Sequence, residues 1–235
     1  MSFSFSSVDD NISALVEPGV PPPSARLETL ARIKKEGVPC GMFLLPVIPF
    51  LTDQPECMEE AVRKASQVGL DFIIFGGMTL KEGKQKAHFF AMLQQSRPQL
   101  LEAYEKIYTG SKWGEAVQQY TDSLSVTFHS IARKHRMPVR IPVPLYQDIL
   151  DENDLVVVML EHIDYLLKLA GEKSPFGYAA YSLSQVKEPL SSLKGELPRL
   201  RGVSKVAEAA ILEILETRTS SYYEELLARQ TGRGA

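Results

Sequence analysis

The sequence predicts an α/β fold, in which a parallel sheet of three strands is covered by helices and followed by a small segment that is helical throughout. Apolar strand-like runs alternate with amphipathic helical patterns up to about residue 77, which is the order expected of a parallel sheet. Pro138, Pro142 and Pro144 then interrupt the pattern, and beyond them the apolar residues recur only at helical spacing. We therefore expect two domains, residues 1–140 and 151–235.

Three segments carry the strand signals: residues 3–7, 38–48 and 70–75. The first alternates Phe with Ser, as expected of a strand with two different faces, and the other two are almost continuously apolar. Right-handed crossovers bring the carboxyl ends of such strands to one side of the sheet, where chemistry gathers in folds of this class. The segments expected on that side are residues 6–10, 46–53 and 76–79.

The helices of the first domain are bounded by recognisable cap residues. Ser24 is expected to be the N-cap of a helix that Gly37 ends, and Asp53 to be the N-cap of a helix that Gly69 ends. Further helices are predicted over residues 87–93, 99–107 and 113–131. The last of these is amphipathic, so its aromatic side chains, including Trp113, are expected in the core.

The composition is ordinary for a globular protein. A net charge of −3 excludes a uniformly basic nucleic-acid binder but leaves room for a local basic patch. The basic run at residues 133–136 is interpreted as cations that complement a helix dipole, with a phosphate-contacting patch as the alternative. No apolar run reaches the ~18 residues of a membrane span, and no signal peptide is visible, so we expect no membrane contact and a cytoplasmic protein.

The sequence has two cysteines, Cys40 and Cys57, which are too few and too far apart for a disulfide framework or a cluster-binding loop. Both are expected to be structural. The first strand begins at residue 3, so nothing precedes it that would pair with its free edge. A short apolar edge strand invites association. Either another segment covers this edge, or the chain is a fragment or a truncated gene product.

Five punctuated features keep a recognisable order and spacing: Phe5-Ser6, Glu17-Pro18-Gly19, Arg26-Leu27-Glu28, Gly37-Val38-Pro39-Cys40-Gly41, and Pro46. Together they resemble the second half of the radical S-adenosylmethionine (SAM) barrel of spore photoproduct lyase, over residues 3–80 and more loosely to about residue 140. The resemblance implies a partial parallel (βα) barrel of three strands. Proteins of this family carry a Cys-x3-Cys-x-x-Cys loop after their first strand, and that loop has no counterpart here.

The resemblance implies S-adenosylmethionine as a cofactor, and a [4Fe-4S] cluster only where a missing half or a separate polypeptide supplies it. It makes Ser6 the first candidate to contact the bound cofactor, because a short hydroxyl hydrogen-bonds without crowding. Ser4, on the same face, is a weaker candidate. The alternative for Ser6 is a serine that fills the barrel interior. Glu17 and Arg26 are expected to form a structural ion pair.

The second segment resembles the helix-hairpin-helix region that opens family X DNA polymerases, most closely over residues 197–207 and the Glu-Ile-Leu-Glu-Thr stretch that follows. In such a hairpin a glycine permits a tight turn, and the amides that begin the next helix face a phosphate. The resemblance implies DNA contact by Gly202, Ser204, Lys205, Arg199 and Arg201. Ser204 replaces the usual second glycine, and Ala210 replaces the Schiff-base lysine of lyase-competent members, so no such activity is expected.

Two classes of function remain open. The first is an enzyme part: the C-terminal portion of a radical SAM lyase-like protein in DNA repair, which is not catalytic alone. The second is a non-catalytic module that binds DNA or another protein through the hairpin. A truncated gene product is a third possibility. Fold likeness alone does not decide among them.

Overall fold

The computed structural model describes residues 1–231, which fall into two compact units, Met1–Val139 and a second that begins at Arg140. The first unit contains a three-stranded sheet whose strands are all parallel and lie in the order β1-β2-β3. The strands are β1 (Ser2–Phe5), β2 (Gly41–Val47) and β3 (Phe72–Gly77). The α/β class and the three parallel strands predicted from sequence are confirmed.

The described part of the first unit also contains a short 3-10 turn, Pro98–Leu100, and six α-helices. The helices are α1 (Asp10–Val16), α2 (Pro23–Lys35), α3 (Pro55–Val68), α4 (Lys84–Ser96), α5 (Leu101–Ile107) and α6 (Gln118–Lys134). Helices α2, α3 and α6 pack on the sheet and on one another. They form the covering layer that a parallel sheet needs on its apolar face.

The two faces of the sheet differ in burial. Phe5, Leu44 and Phe75 stand side by side in the strand register, and Phe75 stacks on Phe128 of α6 with ring centroids 4.3 Å apart. Phe5 and Leu44 on this face are buried beneath the helices, and Phe75 is partly buried. On the other face, Phe43 and Ile74 are only half-buried and the neighbouring Ser4 is exposed. The alternation of Phe and Ser therefore separates the environments of Phe5 and Ser4, but it does not extend to Ser6, which is buried although Ser4 is exposed.

The helix ends agree with sequence expectation at their carboxyl termini. Gly69 is the C-cap of α3 with a φ of +75°, and Gly37 follows the C-cap of α2 with a φ of +78°. Side chains other than glycine rarely adopt this left-handed conformation, which explains both residues. Both predicted helix stops are confirmed.

The N-cap predictions were wrong. Ser24 lies inside α2, and its amide and hydroxyl donate to the Asp10 carboxylate at 2.9 and 2.6 Å. Asp53 lies before the true cap of α3, and its carboxylate accepts a hydrogen bond from the Tyr120 hydroxyl at 2.8 Å. Both helices begin with a proline, which has no amide hydrogen and so leaves one amide fewer to satisfy at the helix start. In α2 the Asp10 carboxylate, from outside the helix, accepts from the next amide, that of Ser24.

The predicted long helix is shorter than its apolar pattern. Helix α6 begins at Gln118, and Trp113 lies in the preceding loop with 60% of its surface exposed. The expectation of a buried Trp113 was therefore wrong. Leu124, Phe128 and Ile131 do form the buried face of α6. Trp113 fits the helical spacing by coincidence, because Gly114, which has a positive φ, lies between it and the first residue of α6.

The described residues of the second unit form helices and no strand. The α-helices are α7 (Glu152–Leu169), α8 (Phe176–Leu183), α9 (Lys205–Thr217) and α10 (Ser221–Thr231), with short 3-10 turns at Val143–Leu145, Leu190–Leu193 and Leu197–Arg199. Helix α7 is central, and its buried residues pack against α8, α9 and α10. Among the described residues, no helix combines the length and the apolar character that crossing a bilayer would need.

Candidate cofactor and nucleic-acid sites

Ser6 is the polar residue that the structure singles out at the carboxyl end of the sheet. It follows β1 directly and is 1% exposed, and within the described residues its hydroxyl has no hydrogen-bond partner. Leaving a buried hydroxyl unpaired costs about 1–3 kcal/mol, so native structures seldom keep one without a reason. A ligand that supplies the missing partner is one such reason.

Ser4 does not share this environment. Its side chain is exposed, and its backbone carbonyl accepts a hydrogen bond from Arg26 Nη1 at 2.6 Å. The structure therefore brings Ser6 into a buried position at the strand end and leaves Ser4 on the surface.

Arg26 connects three elements around β1. Its Nη2 atom lies 3.1 Å from both the Glu17 carboxylate and the Ser13 hydroxyl, and its guanidinium stands 5.0 Å from the centroid of the Phe5 ring. The ion pair predicted between Glu17 and Arg26 is confirmed. It holds the turn after α1 close to Phe5, the residue before Ser6.

Three tyrosines that were not identified from the sequence hydrogen-bond the loops that follow β2 and β3. The hydroxyls of Tyr104 and Tyr108 donate to the carbonyls of Pro49 and Met78, and that of Tyr120 donates to Asp53. Burial raises the pKa of all three phenols above the ordinary value, and the nearby Asp53 charge acts in the same direction. The phenols therefore remain protonated donors that tie α5 and α6 to the loops after β2 and β3.

Two cavities open at this side of the first unit. The larger, of about 670 Å³, is mainly apolar and lies between α1, α4 and the ends of β2 and β3, with Gln85, His88 and Gln95 as its polar lining. The smaller, of about 280 Å³, lies between the segment that follows Ser6 and the first turns of α3. The larger volume falls within the range that small-molecule ligands occupy in proteins.

The two thiols do not form a cluster site. Cys40 lies just before the start of β2, buried, with its amide bound to Asp71 at 2.7 Å. Cys57 lies in the first turn of α3, beyond the opposite end of that strand. Burial, then the charges of Glu56, Asp53 and Asp9, raise the pKa of the Cys57 thiol, which disfavours the thiolate that binds metal. The described residues contain no group of three or more metal-binding side chains.

The hairpin of the second unit turns at Gly202, whose φ is +83°. A Cβ atom there would lie 2.5 Å from Cδ1 of Tyr178 on α8, so the turn needs glycine for conformation and for space. Ser204 is the N-cap of α9, and its hydroxyl accepts a hydrogen bond from the Ala207 amide at 3.2 Å. The serine that replaces the usual glycine thus satisfies one of the first amides of the helix.

The basic side chains of the hairpin are on the surface. Arg199, Arg201 and Lys205 are all exposed, and the Arg201 guanidinium stands 5.5 Å from the centroid of the Tyr178 ring. The first amides of α9, including those of Lys205 and Val206, have no acceptor within the helix and give that end a partial positive charge. Ala210, at the position of the Schiff-base lysine in the resemblance, is buried in the core of the unit.

No protein-family model and no solved structure matches the chain. Uncharacterized proteins of Mycobacterium tuberculosis (strain H37Rv) and Mycobacterium bovis are each 29% identical to it over 100 residues, which are 43% of this chain and 29% of either relative. An uncharacterized protein of Acidianus two-tailed virus is 27% identical over 96 residues, 40% of this chain and 32% of that protein. The chain thus matches less than a third of the length of these relatives.

Proposed function

We propose that the chain is the C-terminal part of a radical SAM protein of the spore photoproduct lyase type, which acts on DNA, and that its sheet contributes one wall of the S-adenosylmethionine site. The observation that carries this proposal is the buried, unpartnered Ser6 hydroxyl at the carboxyl end of a parallel sheet. A hydroxyl in this position hydrogen-bonds a ribose or amino-acid group without occupying the space of the ligand.

The Ser6 hydroxyl supports a contact with the cofactor, whereas the two thiols of this chain do not suit the cluster. Ser6 offers S-adenosylmethionine an unused hydrogen-bonding group, whereas Cys40 and Cys57 lie at opposite ends of β2 and cannot ligate one cluster together. When bound and reduced in such proteins, S-adenosylmethionine supplies a 5′-deoxyadenosyl radical. The part of this chain is to bind and orient the cofactor, while Arg26 and Glu17 fix the strand end that carries Ser6.

Ser6→Ala separates a ligand-binding role from a structural one. Removing an unpaired buried hydroxyl should leave the free protein equally or more stable. It should weaken S-adenosylmethionine binding by about tenfold, the equivalent of one hydrogen bond. Calorimetric titration and thermal unfolding measure the two effects. The matched control is Ser7→Ala, because Ser7 is also buried but already accepts a hydrogen bond from the Asp9 amide at 3.0 Å.

A loss of stability in Ser6→Ala with unchanged S-adenosylmethionine affinity would show that the serine only fills the interior. Equal losses of affinity in the Ser6 and Ser7 variants would assign the effect to the strand end as a whole. Either result would contradict the proposed contact between Ser6 and S-adenosylmethionine.

A second function, phosphate contact with duplex DNA, is favoured by the geometry of the hairpin. The amides that begin α9 and the exposed Lys205 lie at one turn, with Arg201 just before it. Contacts of this kind bind the DNA backbone and do not distinguish base sequence. Because the contacts are few and Ser204 stands in place of glycine, we expect weak binding, with Kd values of roughly 10⁻⁴–10⁻⁶ M.

Titration of a labelled duplex at several salt concentrations tests the hairpin. Lys205→Ala should weaken every duplex alike and flatten the log–log salt dependence by about 0.9. Lys187→Ala is the matched control, because Lys187 is an exposed lysine of the same unit outside the hairpin. If the duplex does not bind even at low salt, or if the two variants behave alike, the hairpin is a packing or protein-contact element.

A further inference from the structure

The sequence contains a single tryptophan, and the structure leaves it on the surface. Trp113 lies in the loop between α5 and α6 with 60% of its surface exposed. An indole is one of the largest apolar groups that a fold can bury, whereas lysine is normally exposed. An exposed tryptophan therefore indicates a candidate binding surface.

The backbone around Trp113 is fixed, so its exposure is built into the loop. The Leu80 amide donates to the Gly114 carbonyl at 2.7 Å, and the Ser111 hydroxyl accepts from the amides of Trp113 and Glu115 at 3.2 Å. Gly114 has a φ of +72°, and a Cβ atom there would lie 2.1 Å from the Lys81 nitrogen. The loop therefore packs directly against the segment that follows β3 and holds the indole outward.

Two cations lie over the exposed ring. The Nζ atoms of Lys81 and Lys112 lie 4.8 and 5.5 Å from its centroid. Both lysines are exposed. Within the described residues, the lysines of this region that form ion pairs are Lys86 and Lys106. Of the nearby carboxylates, Glu82 pairs with Lys86, and Glu115 accepts from the Ser111 hydroxyl. Within the described residues neither Lys81 nor Lys112 is in an ion pair, so a phosphate can draw either ammonium group away from the indole face.

We propose that Trp113, Lys81 and Lys112 form a contact site for single-stranded nucleic acid, in which one unpaired base takes the place of a lysine ammonium group on the indole face and the lysines turn to the flanking phosphates. A flat aromatic group next to two cations matches a polymer that alternates flat bases with anionic phosphates. A base within a duplex has no free face to offer, which favours a single strand. This proposal rests on the proposed function only in taking nucleic acid as the ligand. The site itself includes neither Ser6 nor the hairpin.

The location connects this contact to the candidate cofactor site within the same unit. Leu80 and Lys81 follow the end of β3 closely in the chain, and the loop that carries Trp113 is hydrogen-bonded to Leu80. Trp113 therefore lies on the carboxyl side of the sheet, where Ser6 follows β1. A strand held by the indole is thereby brought to the edge of the sheet where parallel α/β folds place their chemistry.

The indole itself is the reporter. Because Trp113 is the only tryptophan, its fluorescence, excited beyond the absorption of tyrosine, describes this site alone. Titrating the whole chain with an oligothymidylate of about ten nucleotides should quench this fluorescence saturably. Added salt should weaken the binding, since lysine–phosphate contacts release counterions. A duplex of the same length and poly-L-glutamate should quench far less.

Variants measured with an end-labelled oligothymidylate separate the contributions. Trp113→Ala should weaken binding about 5- to 150-fold, which corresponds to ~1–3 kcal/mol for one stacked base, and Trp113→Phe should retain much of the affinity. Lys81→Ala and Lys112→Ala should each flatten the log–log salt dependence by about 0.7. Val126→Ala is the matched control, because Val126 is an exposed apolar residue on α6 away from the loop.

Absent quenching, or equal affinity of Trp113→Ala and the wild-type chain, would overturn the proposal. Equal quenching by poly-L-glutamate would overturn it too, by identifying an acidic protein segment as the partner. Lys205→Ala should leave the quenching intact, and Ser6→Ala should change S-adenosylmethionine binding alone. Failure of this site is therefore distinguishable from failure of the hairpin or of the cofactor proposal.

Discussion

Gly202 is a residue at which backbone conformation and packing impose the same requirement. Its φ of +83° is unfavourable for other residues, and the Tyr178 side chain occupies the space of a Cβ atom. Gly202→Ala should therefore lower the free energy of unfolding of the second unit by about 1–3 kcal/mol. Urea titration followed by circular dichroism measures it. Gly195→Ala is the control, because nothing lies within 4 Å of its Cβ position. Equal effects of the two substitutions would contradict this account of the turn.

His162 predicts a specific pH dependence of stability. Burial, assisted by the Arg140 charge, lowers its pKa to about 4 in the folded state, and the Tyr146 hydroxyl lies 3.2 Å from its Nδ1 atom. The unfolded imidazole has a pKa of about 6.5, so between these values the unfolded chain binds more protons. Stability should therefore fall by roughly 3 kcal/mol as the pH drops through this window.

The substitution that tests the His162 prediction is His162→Asn, whose side chain does not titrate. The difference in unfolding free energy between wild type and variant should change with pH between about 6.5 and 4 and be constant above that window. His88→Asn, at an exposed histidine, serves as the control. A difference that is constant over the whole range would mean that His162 is as accessible to protons when folded as when unfolded.

At the scale of elements, Arg26 joins β1, α1 and α2. Its side chain is 11% exposed and its partner Glu17 is 25% exposed. Arg26→Ala should destabilise the first unit by about 2–3 kcal/mol, because the Glu17 carboxylate loses its positively charged partner and keeps only the neutral Ser13 hydroxyl, and the Ser4 carbonyl loses the Arg26 donor. Arg63→Ala removes a surface pair with Glu60 and should cost less than about 1 kcal/mol. Thermal unfolding of both variants decides the matter, and similar losses would refute the special role of Arg26.

The elements that sequence predicted well are those fixed by local pattern. Strand periodicity placed β1, β2 and β3, and the left-handed conformations of Gly37 and Gly69 follow from glycine alone. The two N-cap failures share one physical cause, which is a partner distant in the chain. Asp53 accepts a hydrogen bond from Tyr120, and Ser24 donates one to Asp10, in place of the predicted capping bonds. No local sequence pattern reveals either contact.

The candidate site divides in the same way. The chemical types of Ser6, Gly202 and Lys205 could be selected from sequence by resemblance. The burial of the Ser6 hydroxyl and its lack of a partner are consequences of packing, and only the structure shows them. Trp113 was misplaced because helical spacing of apolar residues does not by itself exclude a loop.

At the scale of the whole molecule, the distribution of cysteine predicts the behaviour towards iron. The chain has two cysteines, one before β2 and one in α3, whereas a [4Fe-4S] cluster takes grouped thiolates. Anaerobic reconstitution of the purified chain with iron and sulfide should therefore leave it colourless and free of bound iron. Metal analysis after desalting tests this. A brown protein with about four irons per chain would contradict it and would require ligands other than these two thiols.

The hydrogen bonds between Asp10 and Ser24 have a consequence for how the first unit opens. Helix α1 spans a mere seven residues, fewer than an isolated helix needs to persist in water. Its carboxylate reaches into the first turn of α2, and Arg26 of α2 reaches back to Ser13, so each helix supplies a group that the other lacks. We therefore expect α1 and α2 to open together as one local unit, and hydrogen exchange should show both helices exchanging at similar rates while β2 and β3 remain protected.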